Sequence, residues 1–401
     1  MNKQSNFPSR WVYLVVGMVA MLFAGVLYAW SILKSPLSAQ FGWSTSQLAL
    51  NFTLAMTFFC IGGLLGARLS KKLGHRVALI LAGVLSAAGF ILTAMVNHSS
   101  VISLYITYGI LAGTGIGISY NVVIATVSAW FPDKKGLCSG CLMMGFGASA
   151  LVLGNAANAM FQSTVGWQGT YLILGIAIFV ILSLAGLLLK KPETTASAPS
   201  AKSENSAETK DFTSAGMLRT LPFWLAFFCI SFLAAVGSSV ISFAKDLVLS
   251  VNGPEALAVS LVGVLSVCNG LGRILTGAVF DKIGCRKTML LANILTIAAA
   301  GVTLAAVCIQ SLPLCIIGVC LTGMSYGACP TITAACTSTY FGMKYFSGNM
   351  ALMTFTVMVG SLVATASNTV LEATGGYTAT FCMLLVLTLV ALLLNALIKK
   401  P

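Results

Sequence analysis

"GAVFDKIGCRK" occupies residues 277–287. Its centre, "DKIGCR" at 281–286, has a counterpart in "KKLGHR" at 71–76. "YFGMK" at 340–344 matches "WFPDK" at 130–134, and "GY" at 376–377 matches "GW" at 166–167. The offsets agree: 281 against 71, 340 against 130 and 376 against 166 are each 210 residues. Three loop matches at one offset predict that the second part of the chain repeats the first. Each match falls between long apolar blocks, so the repeated unit is a set of membrane spans.

Composition supports this reading. Of 401 residues, 58% are hydrophobic and 8% charged, with a mean hydropathy of +0.96. Soluble domains carry about 25% charged residues. Twelve apolar blocks can be drawn, at 11–33, 46–67, 77–97, 101–130, 137–160, 168–189, 222–245, 256–280, 286–308, 312–339, 349–370 and 376–398. Most are long enough to cross a hydrocarbon core about 30 Å thick. The first is too long for a signal-peptide core, so an uncleaved first span is expected. The polar stretch 190–220, rich in Ser, Ala, Thr, Lys and Glu, reads as a linker. The expected organisation is an N-terminal six-helix bundle (1–189), a cytoplasmic linker (190–220) and a C-terminal six-helix bundle (221–401). Parallel six-span repeats are the architecture of carriers whose halves rock around a central site.

The net charge of +13 could suggest nucleic acid. Its distribution argues against that. Placing both termini and the even-to-odd loops on one side gathers 19 of the 22 Lys and Arg there. Lys34 and Lys245 fall near the other side, and Arg273 lies inside. This is the positive-inside pattern, which makes both termini cytoplasmic. No nucleic-acid partner is expected, the bilayer is the solvent, and a monomer suffices. Most of the twelve cysteines lie in apolar blocks, where cysteine behaves as a small hydrophobe. Cys138 and Cys141 form one C-x-x-C without a second pair or a nearby histidine, so no metal or other cofactor is expected. Gly109, Gly113 and Gly117 on span 4, and Gly62 and Gly66 on span 2, recur every four residues and predict close helix packing.

Arg273 is the exception to the charge pattern. It lies eight residues before Asp281, roughly 12 Å into the membrane at 1.5 Å per residue. An arginine at that depth is costly unless it faces a wet cavity or an anion. The nine acids are Asp133, Glu193, Glu204, Glu208, Asp211, Asp246, Glu255, Asp281 and Glu372, and none falls at the midplane. Asp246 follows Lys245, and the two are expected to compensate one another locally. The partner of Arg273 is therefore expected to be a substrate carboxylate, for which a guanidinium offers a bidentate fork. The alternative is an arginine held by the backbone carbonyls of a broken helix. Ser266, Asn269, Arg273 and Gly277 share one helix face, small and polar as a cavity lining should be. Tyr28, Tyr120 and Tyr326 lie inside spans 1, 4 and 10 and are candidates to close over a small acid; the alternative for each is a membrane-interface position.

The loop signature "GAVFDKIGCRK" resembles that of the major facilitator superfamily. Four further strings resemble its oxalate/formate antiporter family, a relative of the monocarboxylate transporters. They are "GVLYAWSILKSPL" (25–37), "SLYITYGILAGTGIGISYN" (103–121), "SAWFPDKKGLCSGCLMMGFGASALVLG" (128–154) and "KDFTSAGMLRTLPFW" (210–224). The resemblance implies the major facilitator fold, all-α, with twelve transmembrane helices as two pseudo-symmetric six-helix bundles. It also implies that Arg273 binds substrate carboxylate, and that Asp281, Arg286 and Lys287 form a conformational latch. The first repeat has Lys71 where the second has Asp281, so that carboxylate is missing there. The family's oxalate carrier has a second cation, a lysine, on span 11; Val357 takes that position here. Its span 10 tryptophan falls at Thr322 and a span 5 tyrosine at Phe146. One cation suits one carboxylate, so lactate-, pyruvate- or formate-like monoanions are expected over oxalate.

The expected function is secondary active transport by alternating access at the inner membrane. Exchange is favoured, with proton-coupled symport or oxalate-type antiport as alternatives. A sensor that keeps the carrier fold would carry an appended domain, whereas "ALIKKP" ends near the last span. An enzyme is not expected, since the sequence has no histidine cluster, paired intramembrane carboxylates or Gly-x-Ser-x-Gly.

Overall fold

The computed structural model describes residues 10–96, 100–131, 135–190, 211–342 and 345–398. The chain folds into antiparallel helices in two sets. Spans 1–6 are Arg10–Phe41, Thr45–Lys72, Gly74–Ala94, Ile102–Val127, Cys141–Phe161 and Gly166–Leu188. Spans 7–10 are Leu221–Ser250, Glu255–Phe280, Cys285–Cys308 and Leu312–Thr333, and span 12 is Tyr377–Leu397. These eleven are long and apolar enough to cross a membrane. Span 11 is made of two pieces, Phe346–Met353 and Thr356–Thr374. The first piece is short, and the second is rich in Ser, Thr and Asn, so the break lowers its apolar signature. Span 1 runs past the end of its apolar block at 33, because Lys34 is buried and paired.

The glycine faces pack as their spacing predicts. An added Cβ at Gly62 or Gly66 would press on the backbone of Thr114 or Ile118, and one at Gly113 on that of Ala55. Spans 2 and 4 are therefore in backbone contact, as small-residue faces allow.

The repeat is visible in how each set is tied. At the start of span 3, His75 Nε2 lies 2.8 Å from the Leu189 carbonyl at the end of span 6. At the start of span 9, Arg286 donates at 3.3 Å to the Ala396 carbonyl at the end of span 12. The last carbonyls of a helix lack intrahelical partners, and a basic side chain satisfies them. Both ties come from the matched strings "KKLGHR" and "DKIGCR". Spans 1 and 7, 2 and 11, and 5 and 8 make contact across the two sets.

Several spans depart from regular α-helix. Span 1 tightens to a 3-10 stretch over Gly25–Ala29, and span 5 has a wide turn over Ala150–Gly154. Span 7 kinks at Phe243 (φ −131°, ψ 19°), and span 10 contains Pro330. Such departures have local causes and often mark hinges. At Gly25 the cause is close approach, since a Cβ there would collide with the Phe146 carbonyl of span 5.

Candidate anion site

Arg273 lies on an unbroken helix, Glu255–Ile283, with 4% of its surface exposed. Its guanidinium is held by side chains, not by carbonyls of a broken helix. Nε donates to Asn269 Oδ1 at 3.2 Å, one turn earlier on the same face. Nη2 donates to the Tyr28 hydroxyl at 3.3 Å, from the other set of helices. Nη1 is buried and has no hydrogen-bond partner, and the same is true of Asn269 Nδ2 and Ser266 Oγ. Among the described residues, no carboxylate lies within ion-pair distance of Arg273. A buried charge with an unused donor is costly unless it meets an anion or water.

Spans 8 and 10 hold this geometry through their backbones. A Cβ at Gly327 would collide with the Asn269 carbonyl and come within 3.2 Å of the Arg273 amide nitrogen. One at Gly272 would collide with the Met324 carbonyl. Thr331 Oγ1 donates to the Arg273 carbonyl at 3.3 Å. Gly237 of span 7 lies so close to the Tyr326 ring that no side chain fits between them.

Aromatic rings surround the guanidinium. Tyr28 meets Phe146 edge-on at 5.1 Å between centroids and Tyr326 at 6.1 Å. Tyr120 meets Phe146 at 5.3 Å. Tyr28 bonds directly to the guanidinium, and Tyr120 and Tyr326 join it through the same group of rings. Tyr28 and Tyr326 are 7% and 2% exposed, which is incompatible with an interfacial belt. Phe59 of span 2 joins the group, 5.0 Å from Tyr120 and 6.1 Å from Phe146. Sequence reading missed it because "TFFC" shows two adjacent phenylalanines and nothing that selects between them.

The other candidates stand apart. Thr322 is buried, and its hydroxyl donates to Gly318 O at 2.8 Å within its own helix. Val357 is half-buried against the hydrophobic core just after the break in span 11. Arg286 caps span 12 and Lys287 is exposed. The side chain of Asp281 lies outside the described residues.

On the side away from the basic loops, polar contacts join the two sets. Lys34 Nζ of span 1 lies 2.9 Å from Asp246 Oδ2 of span 7. Lys245 Nζ lies 2.9 Å from Glu255 Oε1 and 3.5 Å from Ser35 Oγ. Lys245 and Asp246 therefore do not compensate one another; consecutive helical residues point about 100° apart, so each finds a partner elsewhere. Ser46 donates through its backbone N–H at 2.7 Å and through its hydroxyl to the Glu372 carboxylate. Glu372 thereby satisfies a free amide at the N-terminus of span 2. Thr53 donates to Ser361 O, deeper between the same spans.

Towards the basic loops the Arg273 face opens. Ser266, Asn269 and Arg273 are buried, whereas Gly277 and Phe280 are partly exposed. A Cβ on Gly277 would meet only Thr331 Cγ2, at 3.9 Å.

A sequence profile of the Major Facilitator Superfamily matches residues 12–267 and 227–401. The chain belongs to this superfamily. The oxalate:formate antiporter of Oxalobacter formigenes is 32% identical over 287 residues, 70% of this chain and 66% of that protein. The uncharacterized MFS-type transporter YhjX of Escherichia coli is 26% identical over 367 residues, 89% and 87% of the two chains. Human monocarboxylate transporter 12 is 26% identical over 346 residues, 80% and 66%. Among solved structures, a bacterial homolog of the human lysosomal transporter Spinster superposes with a TM-score of 0.71 at 14% identity, covering 98% of each chain. The protein is thus a multi-span membrane transporter of the major facilitator type, with oxalate:formate antiporter-like relatives.

Proposed function

We propose that this transporter carries small monoanionic carboxylates of the lactate, pyruvate or formate kind, with Arg273 as the carboxylate site. The carrying observation is the buried Nη1 of Arg273, which has no partner; Asn269, the side chain its Nε contacts, has an equally unpartnered Nδ2. A carboxylate offers two oxygens to such a pair of donors. Tyr28, Tyr120, Tyr326 and Phe146 enclose the rest of a small acid, and a site with one cation favours one negative charge. Thr322 and Val357, where an oxalate carrier would present more polar groups, offer no charge or free donor to a second carboxylate.

In this reading the basic loops face the cytoplasm of the inner membrane, and the partly exposed Gly277 and Phe280 beyond Arg273 support access from that side. The Lys34–Asp246 and Ser46–Glu372 contacts close the outer side. The halves, 1–189 and 221–401, rock about Arg273, with 190–220 linking them. Asp281, Arg286 and Lys287 steady the cytoplasmic side when it closes. Tyr28 and Arg273 belong to opposite halves, so an anion at Nη1 sits where the halves meet. A site that closes without an anion strands the guanidinium in a drying cavity. Loaded crossing is therefore favoured, and exchange of one anion for another is the expected mode.

Transport assays in proteoliposomes test this. Vesicles loaded with one unlabelled acid are challenged with labelled lactate, pyruvate, formate, oxalate and an amino acid. Monocarboxylates exchange, and Arg273→Ala abolishes exchange while Arg273→Lys retains a fraction. Undiminished uptake by the alanine variant sinks the assignment.

A further inference from the structure

The site described above leaves a pair of thiols unused. Cys285, the first residue of span 9, and Cys336, on the helix Leu312–Phe341 that continues span 10, have their sulfur atoms 2.7 Å apart. The chain between them closes a loop of 51 residues, so the pairing joins two different helices. Met289 Sδ lies 3.4 Å from Cys336 Sγ. Cys336 is fully buried, whereas Cys285 retains 6% exposure at the loop end of the bundle. Gly284, with φ at +78°, turns the chain so that Cys285 points inward at the first helical position. Cys60, Cys229 and Cys329 point instead to backbone carbonyls, those of Thr354, Ala391 and Ser325.

We propose that Cys285 and Cys336 form a modification site at which a hydroperoxide converts two thiols into a disulfide. Cys285 Sγ, the more accessible sulfur, attacks the terminal oxygen of the peroxide. The O–O bond breaks, water leaves, and Cys285 becomes a sulfenic acid. Cys336 Sγ then attacks that sulfur, the S–S bond forms, and a second water leaves with the thiol proton. Two thiols are oxidised and one hydrogen peroxide is reduced to two waters. Thiol–disulfide exchange with glutathione reverses the reaction. Only the sulfur atoms need to move, because the two helices already hold them in contact.

The link affects the carrier through its position. Span 10 carries Gly327, whose backbone packs on Asn269 and Arg273. The start of span 9 carries Arg286, which caps span 12. A covalent bond between Cys285 and Cys336 fixes the basic loop end of span 9 to the helix that lines the anion site. Sliding between spans 9 and 10 then stops, and transport slows.

Formation of the link is tested without reference to substrate. Wild-type protein in lipid nanodiscs is treated with hydrogen peroxide, remaining thiols are alkylated after unfolding, and peptides are mapped by mass spectrometry. A peptide pair joined through Cys285 and Cys336, lighter by two hydrogens and released by dithiothreitol, is expected. In Cys336→Ser, dimedone should trap Cys285 as its sulfenic acid. Equal alkylation of both cysteines with and without peroxide, or linkage of Cys285 to another cysteine, overturns the site. The effect on transport rests on the carrier reading and is measured separately. Peroxide should slow exchange at least several-fold in wild type and leave Cys336→Ser unchanged. Equal slowing in both overturns the regulatory role while leaving the mapped link intact. If wild type exchanges none of the acids before oxidation, the carrier reading fails and the peptide map alone judges the site.

Discussion

The two partners of the Lys34–Asp246 pair should respond very differently to neutralisation. The side chain of Lys34 is 7% exposed and that of Asp246 is 41% exposed. Asp246→Asn leaves a buried ammonium without its counter-charge. Glu255 cannot replace it, because Lys245 occupies its Oε1 at 2.9 Å. Removing one partner of a buried pair costs about 3–5 kcal/mol. The half-exposed carboxylate shows that the site is partly wet, which reduces the cost to roughly 2–3 kcal/mol. Only the outer-closed state bears it, since parting the halves lets Lys34 reach water. The equilibrium should shift toward outer opening by roughly 30- to 150-fold, at tenfold per 1.4 kcal/mol. Lys34→Met strands only a carboxylate that water already reaches, a cost of about 0–1 kcal/mol and a shift of at most about fivefold. The assay is pulsed electron resonance between spin labels carried by unnatural amino acids at Gln40 and Thr378, both exposed at the end away from the basic loops. The long-distance population should grow strongly in Asp246→Asn and little in Lys34→Met. Equal growth in the two variants refutes the reasoning from burial.

Three further outcomes are expected. Glu372→Ala removes the acceptor for the Ser46 amide and hydroxyl; this exposed contact is worth about 1 kcal/mol, so the same distance measurement should show a shift of about fivefold, smaller than that of Asp246→Asn. Tyr28→Phe deletes the hydroxyl that accepts from Nη2, and a charge-assisted bond of about 1.5 kcal/mol predicts roughly a tenfold rise in KM for the carboxylate; an unchanged KM would place substrate elsewhere. Gly327→Ala drives a methyl group into the Asn269 carbonyl, and overpacking of about 1–3 kcal/mol should lower the melting temperature in detergent and abolish exchange, with a wild-type melting curve counting against the packing described.

How much of this was legible in the sequence depends on the range of each interaction. The spans were readable because block length and loop charge act locally. Arg273 was readable because depth follows from counting residues back from Asp281, and the absence of a midplane acid follows from inspecting nine residues. Tyr28, Tyr120 and Tyr326 are found by depth and Phe146 by resemblance, and the structure brings all four together. Thr322 and Val357 were chosen by resemblance, and their side chains turn to other partners. The contacts of Asp246 and Glu372 were not readable, because they depend on the register between helices more than 200 residues apart in sequence. Helical periodicity gives the face of one helix but not its height against another. The same holds for Cys285 and Cys336, which read as isolated apolar residues until spans 9 and 10 are set side by side.

The paired ties at the helix ends bear on how such a chain can be cut. His75 holds the end of span 6 and Arg286 the end of span 12, so in each set of six the last span is fastened to the third. Trp130 adds a second donor, to the Lys190 carbonyl, where the chain leaves span 6. Tension along the stretch that follows is thus resisted at a pinned exit and does not unwind the last helix. Two polypeptides expressed separately, divided within 191–210, would each keep their fastenings and have only their shared face left to find.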